Sequence, residues 1–155
     1  MRSLYFDIDG TILAQESGLT KQALERGKLE DGIRAAQIES LICVGNFVKV
    51  IYIVQKLQPD YDGLGVIFRL CGGAFRDENW FKRVTTLSRN PENRAAELPL
   101  DQDWFYLDDL AEQYLCKADR TDVFGRENGH RVFAPVPGGS GTDVLEWLSG
   151  LALRR

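Results

Sequence analysis

Ser3-Leu4-Tyr5-Phe6-Asp7-Ile8-Asp9-Gly10-Thr11 is the stretch on which the reading of the fold turns. A short apolar run ends in two carboxylates one residue apart, and a Gly-Thr turn follows. Leu4, Tyr5, Phe6 and Ile8 carry the aromatic and β-branched bias of a buried strand, which Gly10 breaks. Asp7 and Asp9 are therefore expected where a strand leaves a sheet, the edge at which open α/β sheets place their ligand crevices. Acids one residue apart on an extended chain face opposite sides. Both serve one site only if the backbone bends just after Asp7, and the Gly10-Thr11 turn permits that bend. Crowded carboxylates raise each other's pKa unless a cation or donors compensate, so a divalent metal would relieve the pair. Asp-Gly alone is also an ordinary turn; the whole string, not the dipeptide, carries the reading.

The theme returns late in the chain. Trp104-Phe105-Tyr106-Leu107-Asp108-Asp109 is again an aromatic strand ending in paired acids. Between the two, Leu41-Ile42-Cys43-Val44 is a short apolar run that stops at Gly45-Asn46, a second candidate buried strand. The other segments interleave helices. Ile12 to Gly32, punctuated by Gly18, Gly27 and Gly32, suits a β-hairpin flap, a short helix or both. Leu29 to Ser40 predicts a helix with Ile33, Ala36 and Ile38 on the sheet, weakened by Gly32. Phe47 to Leu57 predicts a largely buried helix stopped at Pro59 and Asp60. Tyr61 to Phe75 is strand or helix around Val66 to Leu70. Cys71 beside Gly72-Gly73 reads as a tight turn with an inert thiol rather than a nucleophile, because only His130 is at hand as a base.

Asp77 to Arg83 predicts a helical turn or two and Val84 to Leu87 a short strand. Pro91 to Leu98 predicts a helix with proline in its first turn, and Leu110 to Ala118 another. Arg131 to Ala134 predicts a strand closed by Pro135 and Pro137. Gly138-Gly139-Ser140-Gly141 reads as a connecting loop, since no Gly-Lys-Ser/Thr follows it. Thr142 or Asp143 then caps a last amphipathic helix with Val144, Leu145, Trp147 and Leu148. Strands alternating with helices call for an α/β fold: a mostly parallel sheet with helices on both faces. Its right-handed crossovers gather the strand C-terminal ends on one edge, where Asp7, Asp9, Gly45-Asn46, Asp108 and Asp109 are expected to meet. Such an acidic mouth calls for a hard, oxygen-loving cation, magnesium by default.

Composition sets the outer bounds. The chain has 155 residues, 44% apolar and 27% charged, which suits one soluble domain over 1–155. The net charge of −4 argues against a nucleic-acid surface. No apolar run approaches the roughly 20 residues of a membrane span, and Asp7 and Asp9 interrupt any signal-like stretch at once. Cys43, Cys71 and Cys116 are widely spaced and form no Cys-x-x-Cys pair. With the single histidine they provide neither an ordinary zinc site nor a disulfide framework. A reducing, cytoplasmic setting is expected.

Tyr5-Phe6-Asp7-Ile8-Asp9-Gly10-Thr11 resembles the first motif of the haloacid-dehalogenase-like (HAD) superfamily, an apolar strand followed by Asp-x-Asp-Gly-Thr. Asp108-Asp109 looks like that family's fourth motif, and the likeness spans nearly the whole chain in motif order. It implies a Rossmann-like doubly wound sheet and Mg²⁺-dependent phosphatase chemistry. Asp7 would be the nucleophile that accepts a phosphoryl group. Asp9 would be the acid toward the leaving oxygen and then the base for water. The metal would be held by Asp7, the Asp9 carbonyl and the Asp108-Asp109 pair, with Asp109 as the direct ligand and Asp108 acting through water or orienting it. The expected partner is a phosphorylated small molecule or a macromolecular phosphoester. No segment is long enough for a separate cap domain, so the site would be open or closed by a partner chain, which leaves the oligomeric state open.

Two departures from the family pattern stand out. Its second motif ends a strand in Ser or Thr, often with Asn after it, whereas Gly45-Asn46 here lacks the hydroxyl, so one phosphate donor is lost while backbone N–H groups at a helix start could still hold phosphate. Its third motif is a Lys or Arg ahead of the fourth-motif strand, where Lys82 and Arg89 qualify, Arg89-Asn90-Pro91 resembling a common Lys-x-Pro neighbourhood. These departures motivate a second reading, a catalytically impaired HAD-like domain that binds a phosphorylated ligand or protein. A receiver-like signalling domain ranks lower, because receivers carry the accepting Asp on a middle strand rather than the first.

Overall fold

A computed structural model describes residues 2–7, 11, 13–16, 20–23, 28–45, 56–58, 85–86, 94–96, 98–120, 129–135 and 142–154. In chain order these give strand β1 (Arg2–Phe6), a hairpin of β2 (Leu13–Glu16) and β3 (Thr20–Ala23), and helix α1 (Lys28–Ala35). Strands β4 (Ile38–Cys43), β5 (Thr85–Thr86) and β6 (Asp103–Leu107) follow, and then helix α2 (Ala111–Lys117). A 3-10 turn at Gly129–Arg131, strand β7 (Val132–Phe133) and helix α3 (Thr142–Ala152) complete the described elements.

Five strands form one parallel sheet in the order β5-β4-β1-β6-β7, and β2-β3 is a separate antiparallel pair. β1 is central, paired with β4 from Ser3↔Ser40 to Phe6↔Cys43 and with β6 from Arg2↔Asp103 to Phe6↔Leu107. The three inner strands are near-continuous apolar runs, the pattern of strands covered on both faces. Alternation divides them. Tyr5, Ile42, Trp104 and Tyr106 share one buried cluster with Ala111 and Leu115 of α2. On the other face, Phe105 meets the Trp147 ring of α3 edge-on at 6.4 Å, and Phe133 stacks on the same indole at 5.5 Å. α2 therefore packs against one face and α3 against the other, and the fold is α/β.

α1 and α3 lie close together because one residue has no side chain. A Cβ at Gly32 would stand 3.1 Å from Leu148 Cδ1, so the glycine that weakens α1 by propensity also lets α3 approach. Arg2 ties the helices to β1: its Nη1 donates to Ala36 O at 2.8 Å and Leu151 O at 3.1 Å, and its Nη2 to Arg154 O at 2.8 Å.

Two predicted helices differ in the structure. The helix expected over 29–40 ends at Ala35, since Gln37 turns at φ 57° and Ile38 already starts β4. In the segment expected as a helix over 91–98, residues 94–96 make a single 3-10 turn. Arg120 holds that turn by donating from Nη1 to Ala95 O and Leu98 O at 3.0 and 2.8 Å. Both options left open for 12–32 occur, a hairpin and then a helix. The strands expected at 84–87 and 131–134 are the two-residue edges β5 and β7. Of the helix expected over 47–57, Lys56 and Leu57 are helical and the rest lies outside the described residues, as do the segments expected over 61–75 and 77–83.

Candidate functional site

The parallel register builds the site. Phe6 is the last β1 residue paired with both neighbours, so Asp7 follows it beside Val44 and Asp108. Main-chain bonds carry the ladder one step past the strand ends. Asp7 N donates to Leu107 O at 2.9 Å, Val44 N to Phe6 O at 2.8 Å and Asp108 N to Phe133 O at 3.1 Å. Two acids about a hundred positions apart in sequence are thus fixed side by side by backbone alone. Asp109 follows at the turn into α2, and Asp7, Asp108 and Asp109 each present an oxygen within 4.8 Å of the others.

Asp108 is fully buried and its carboxylate is held from three directions. Oδ2 accepts from Arg94 Nη1 at 3.0 Å and from the Tyr106 hydroxyl at 2.7 Å, and Oδ1 accepts from Leu110 N at 3.0 Å. Tyr106 stands two residues before Asp108, which continues the β6 ladder one step past its end, so the two point to the same face. Burial, and then the Asp108 charge, push the Tyr106 phenol far above its ordinary range, which keeps the hydroxyl a donor.

Among the described residues, Arg94 is the cation at the centre, and only 3% of its side chain is exposed. Nη1 also lies 3.5 Å from Asp7 Oδ1, and the guanidinium carbon sits 3.9 Å above the Tyr114 ring. Burial works to lower the Arg94 pKa, but Asp108 and Asp7 outweigh it and the net shift is upward. The other side of Asp7 faces Thr11. That buried hydroxyl lies 3.5 Å from Asp7 Oδ2 and 3.2 Å from Asp109 Oδ1, and it accepts from Asp109 N at 3.0 Å. Burial first, and then the Asp108 charge, hold the Asp109 carboxyl above its usual range, with the Thr11 bond opposing.

Gly45 completes the wall. It sits at φ 98°, and a Cβ there would overlap Asp7 Oδ1 and come within 2.9 Å of Arg94 Nη1. A side chain at this position, a hydroxyl-bearing one included, is thus excluded by the space Asp7 and Arg94 occupy. Beyond Asp109 a depression of about 470 Å³ opens between α2 and the end of β7, lined by Leu110, Glu112, Gln113, Cys116 and Ala134.

Of the residues singled out in the sequence, the structure brings together Asp7, Asp108, Asp109 and Gly45. Asp9, Asn46, Lys82 and Arg89 lie outside the described residues. Arg94, Tyr106, Tyr114 and Thr11 were not read as site residues. Arg94 had a signal, since it is the last basic residue before β6. On a helix over 91–98, however, a basic residue reads as one more solvated charge. Three carboxylates with a nearby hydroxyl form a hard donor set, the kind that suits Mg²⁺ or Ca²⁺ rather than a softer metal. No helix among the described residues is long and apolar enough to cross a membrane. Comparison of the chain with known protein families, with characterised proteins and with solved structures gives no match.

Proposed function

We propose that the protein is a Mg²⁺-dependent phosphomonoester hydrolase of the HAD type, built on a Rossmann-like doubly wound sheet and working through a phosphoryl group carried on Asp7. The carrying observation is the setting of Asp7, with one oxygen against Arg94 and the other beside Thr11 and Asp109. The strand order supports the sheet assignment, because it runs outward from β1 in both directions, and ligands of such sheets bind at that switch point.

In this reading an Asp7 oxygen attacks phosphorus, the bond from phosphorus to the leaving oxygen breaks, and Asp9 gives that oxygen a proton. Water then attacks phosphorus, Asp9 takes the proton back, and the bond to Asp7 breaks to release inorganic phosphate. Arg94 fills the third-motif role for which Lys82 and Arg89 were the candidates in the sequence. It balances Asp7 and Asp108 so that an anionic nucleophile survives beside an anionic substrate. Asp7 and Asp109 would hold the metal, which supplies further charge neutralisation at the phosphoryl oxygens. Asp108 is already committed to Arg94, Tyr106 and Leu110 N and acts as the anchor of the arginine. The leaving group would occupy the depression beyond Asp109.

Hydrolysis of p-nitrophenyl phosphate tests this directly. Mg²⁺-dependent turnover that disappears in Asp7→Asn is expected, and turnover that survives Asp7→Asn would sink the assignment. One observation favours a second reading, a domain that binds phosphorylated ligands without turnover. Gly45 leaves no room for the second-motif hydroxyl. Phosphate binding by the Mg²⁺-loaded protein with no hydrolysis would select that reading.

A further inference from the structure

We infer that Tyr106 and Tyr114 are positioning residues for phosphoryl transfer, which together seat the Arg94 guanidinium against Asp7. The inference rests on Asp7 being the phosphoryl acceptor. Arg94 touches Asp108 and Asp7 unequally, at 3.0 Å from Asp108 Oδ2 and 3.5 Å from Asp7 Oδ1. Asp108 is therefore the seat and Asp7 the group served, and anything that lets the seat turn withdraws the guanidinium from Asp7 first.

The Tyr106 hydroxyl prevents that turn. It shares Asp108 Oδ2 with Arg94, while Leu110 N holds Oδ1. Without the hydroxyl, the carboxylate keeps one neutral donor and the arginine, and rotation about its Cβ–Cγ bond carries Arg94 along. Packing does not require a hydroxyl at this position. Tyr106 belongs to the same buried cluster as Tyr5, Trp104 and Leu115, where a phenylalanine ring would fill the same apolar space. Tyr114 acts from another side, its ring 3.9 Å beneath the guanidinium carbon, so the planar cation is bounded by an aromatic face and two carboxylates. The arrangement is pre-formed, so no group has to move as charge shifts from Asp7 toward phosphorus.

The test uses the full chain, with Tyr106→Phe and Tyr114→Leu each compared with wild type. The Arg94 side-chain N–H resonances, assigned through Arg94→Lys, report the seat without any chemistry. Adduct formation with beryllofluoride and Mg²⁺, followed by ¹⁹F NMR, reports Asp7 as an acceptor. Wild type is expected to show separate, slowly exchanging guanidinium protons and a beryllofluoride adduct. Tyr106→Phe is expected to average those protons and to weaken adduct formation about tenfold, while melting as cooperatively as wild type. Tyr114→Leu is expected to do the same, and it decides the matter should Tyr106→Phe fail to fold. Unchanged Arg94 signals and an unchanged adduct in a folded variant overturn the positioning role. No adduct in wild type overturns the acceptor reading of Asp7 instead, and the Arg94 signals distinguish that failure from a failure of the seat.

Discussion

At position 45 a side chain and the acid at position 7 compete for the same volume. Gly45→Ala must both adopt φ 98° and displace Asp7 Oδ1. It is expected to cost about 1–3 kcal/mol in urea unfolding, the left-handed backbone alone contributing about 1–2 kcal/mol. Gly45→Ser, although it adds a hydroxyl, is expected to behave like Gly45→Ala rather than to raise phosphate affinity, as titration calorimetry with inorganic phosphate would show. Arg94 is the complementary case. Arg94→Met removes a cation that the buried Asp7 and Asp108 share, and removing one member of such a cluster costs about 3–5 kcal/mol. Saturating Mg²⁺ is expected to recover part of that loss, which thermal melts of Arg94→Met with and without the ion would measure. The acids of the site were legible in the sequence because they end apolar runs. Arg94 was not, because a lone basic residue shows its burial only once its partners are placed. Tyr106 lay hidden in the run that announced its strand, since an aromatic residue there reads as packing and its hydroxyl bond to Asp108 depends on the strand's facing.

Among the elements, the α1–α3 contact is the one most open to a single change. Gly32→Val puts branched carbon where Leu148 Cδ1 already stands 3.1 Å from the Cβ position. It should destabilise by about 1–3 kcal/mol through overpacking, even though the substitution removes a helix-weakening glycine. Equilibrium unfolding decides the sign: stabilisation would mean that propensity outweighs the contact. The inner strands β1, β4 and β6 were readable because a strand buried on both faces is a continuous apolar run with a clear stop. The turn between α1 and β4 was not readable. Gln37, at φ 57°, makes it without glycine or proline, and Ile38 keeps the helical spacing of apolar residues into the strand. The 3-10 turn at 94–96 was hidden in the same way, since its hold comes from Arg120, which lies on the far side of β6 and α2 in sequence. Local pattern finds what local energetics build, and both misses are built by residues distant in sequence or by a residue in an uncommon conformation.

For the molecule as a whole, the acidic mouth sets the dependence on ion and pH. The folded protein holds Asp109 above its ordinary pKa of 3.8, so the ionised carboxylate is disfavoured on folding. Its favourable contribution is fully present below that ordinary value and is lost as pH rises through the raised folded value. At neutral pH the metal-free protein therefore carries this penalty, and a dication held by these acids would remove it. Mg²⁺ at about a hundred times its dissociation constant should add about 2.7 kcal/mol of stability. The increment should shrink on acidification, as protons compete for the ligands. Calorimetric melts in EDTA and in Mg²⁺ at pH 7.5 and 5 would check both, and an increment independent of pH would count against carboxylate ligation. The position of β1 between β4 and β6 also governs how the chain is born. β1 is made well before its β6 neighbour, and until Asp103–Leu107 emerges one flank of Leu4, Tyr5 and Phe6 stays open to any sticky surface nearby. Synthesis halted just short of β6 would thus leave a nascent chain in need of a chaperone, and release would wait on the same stretch of polypeptide that delivers Asp108 to Asp7.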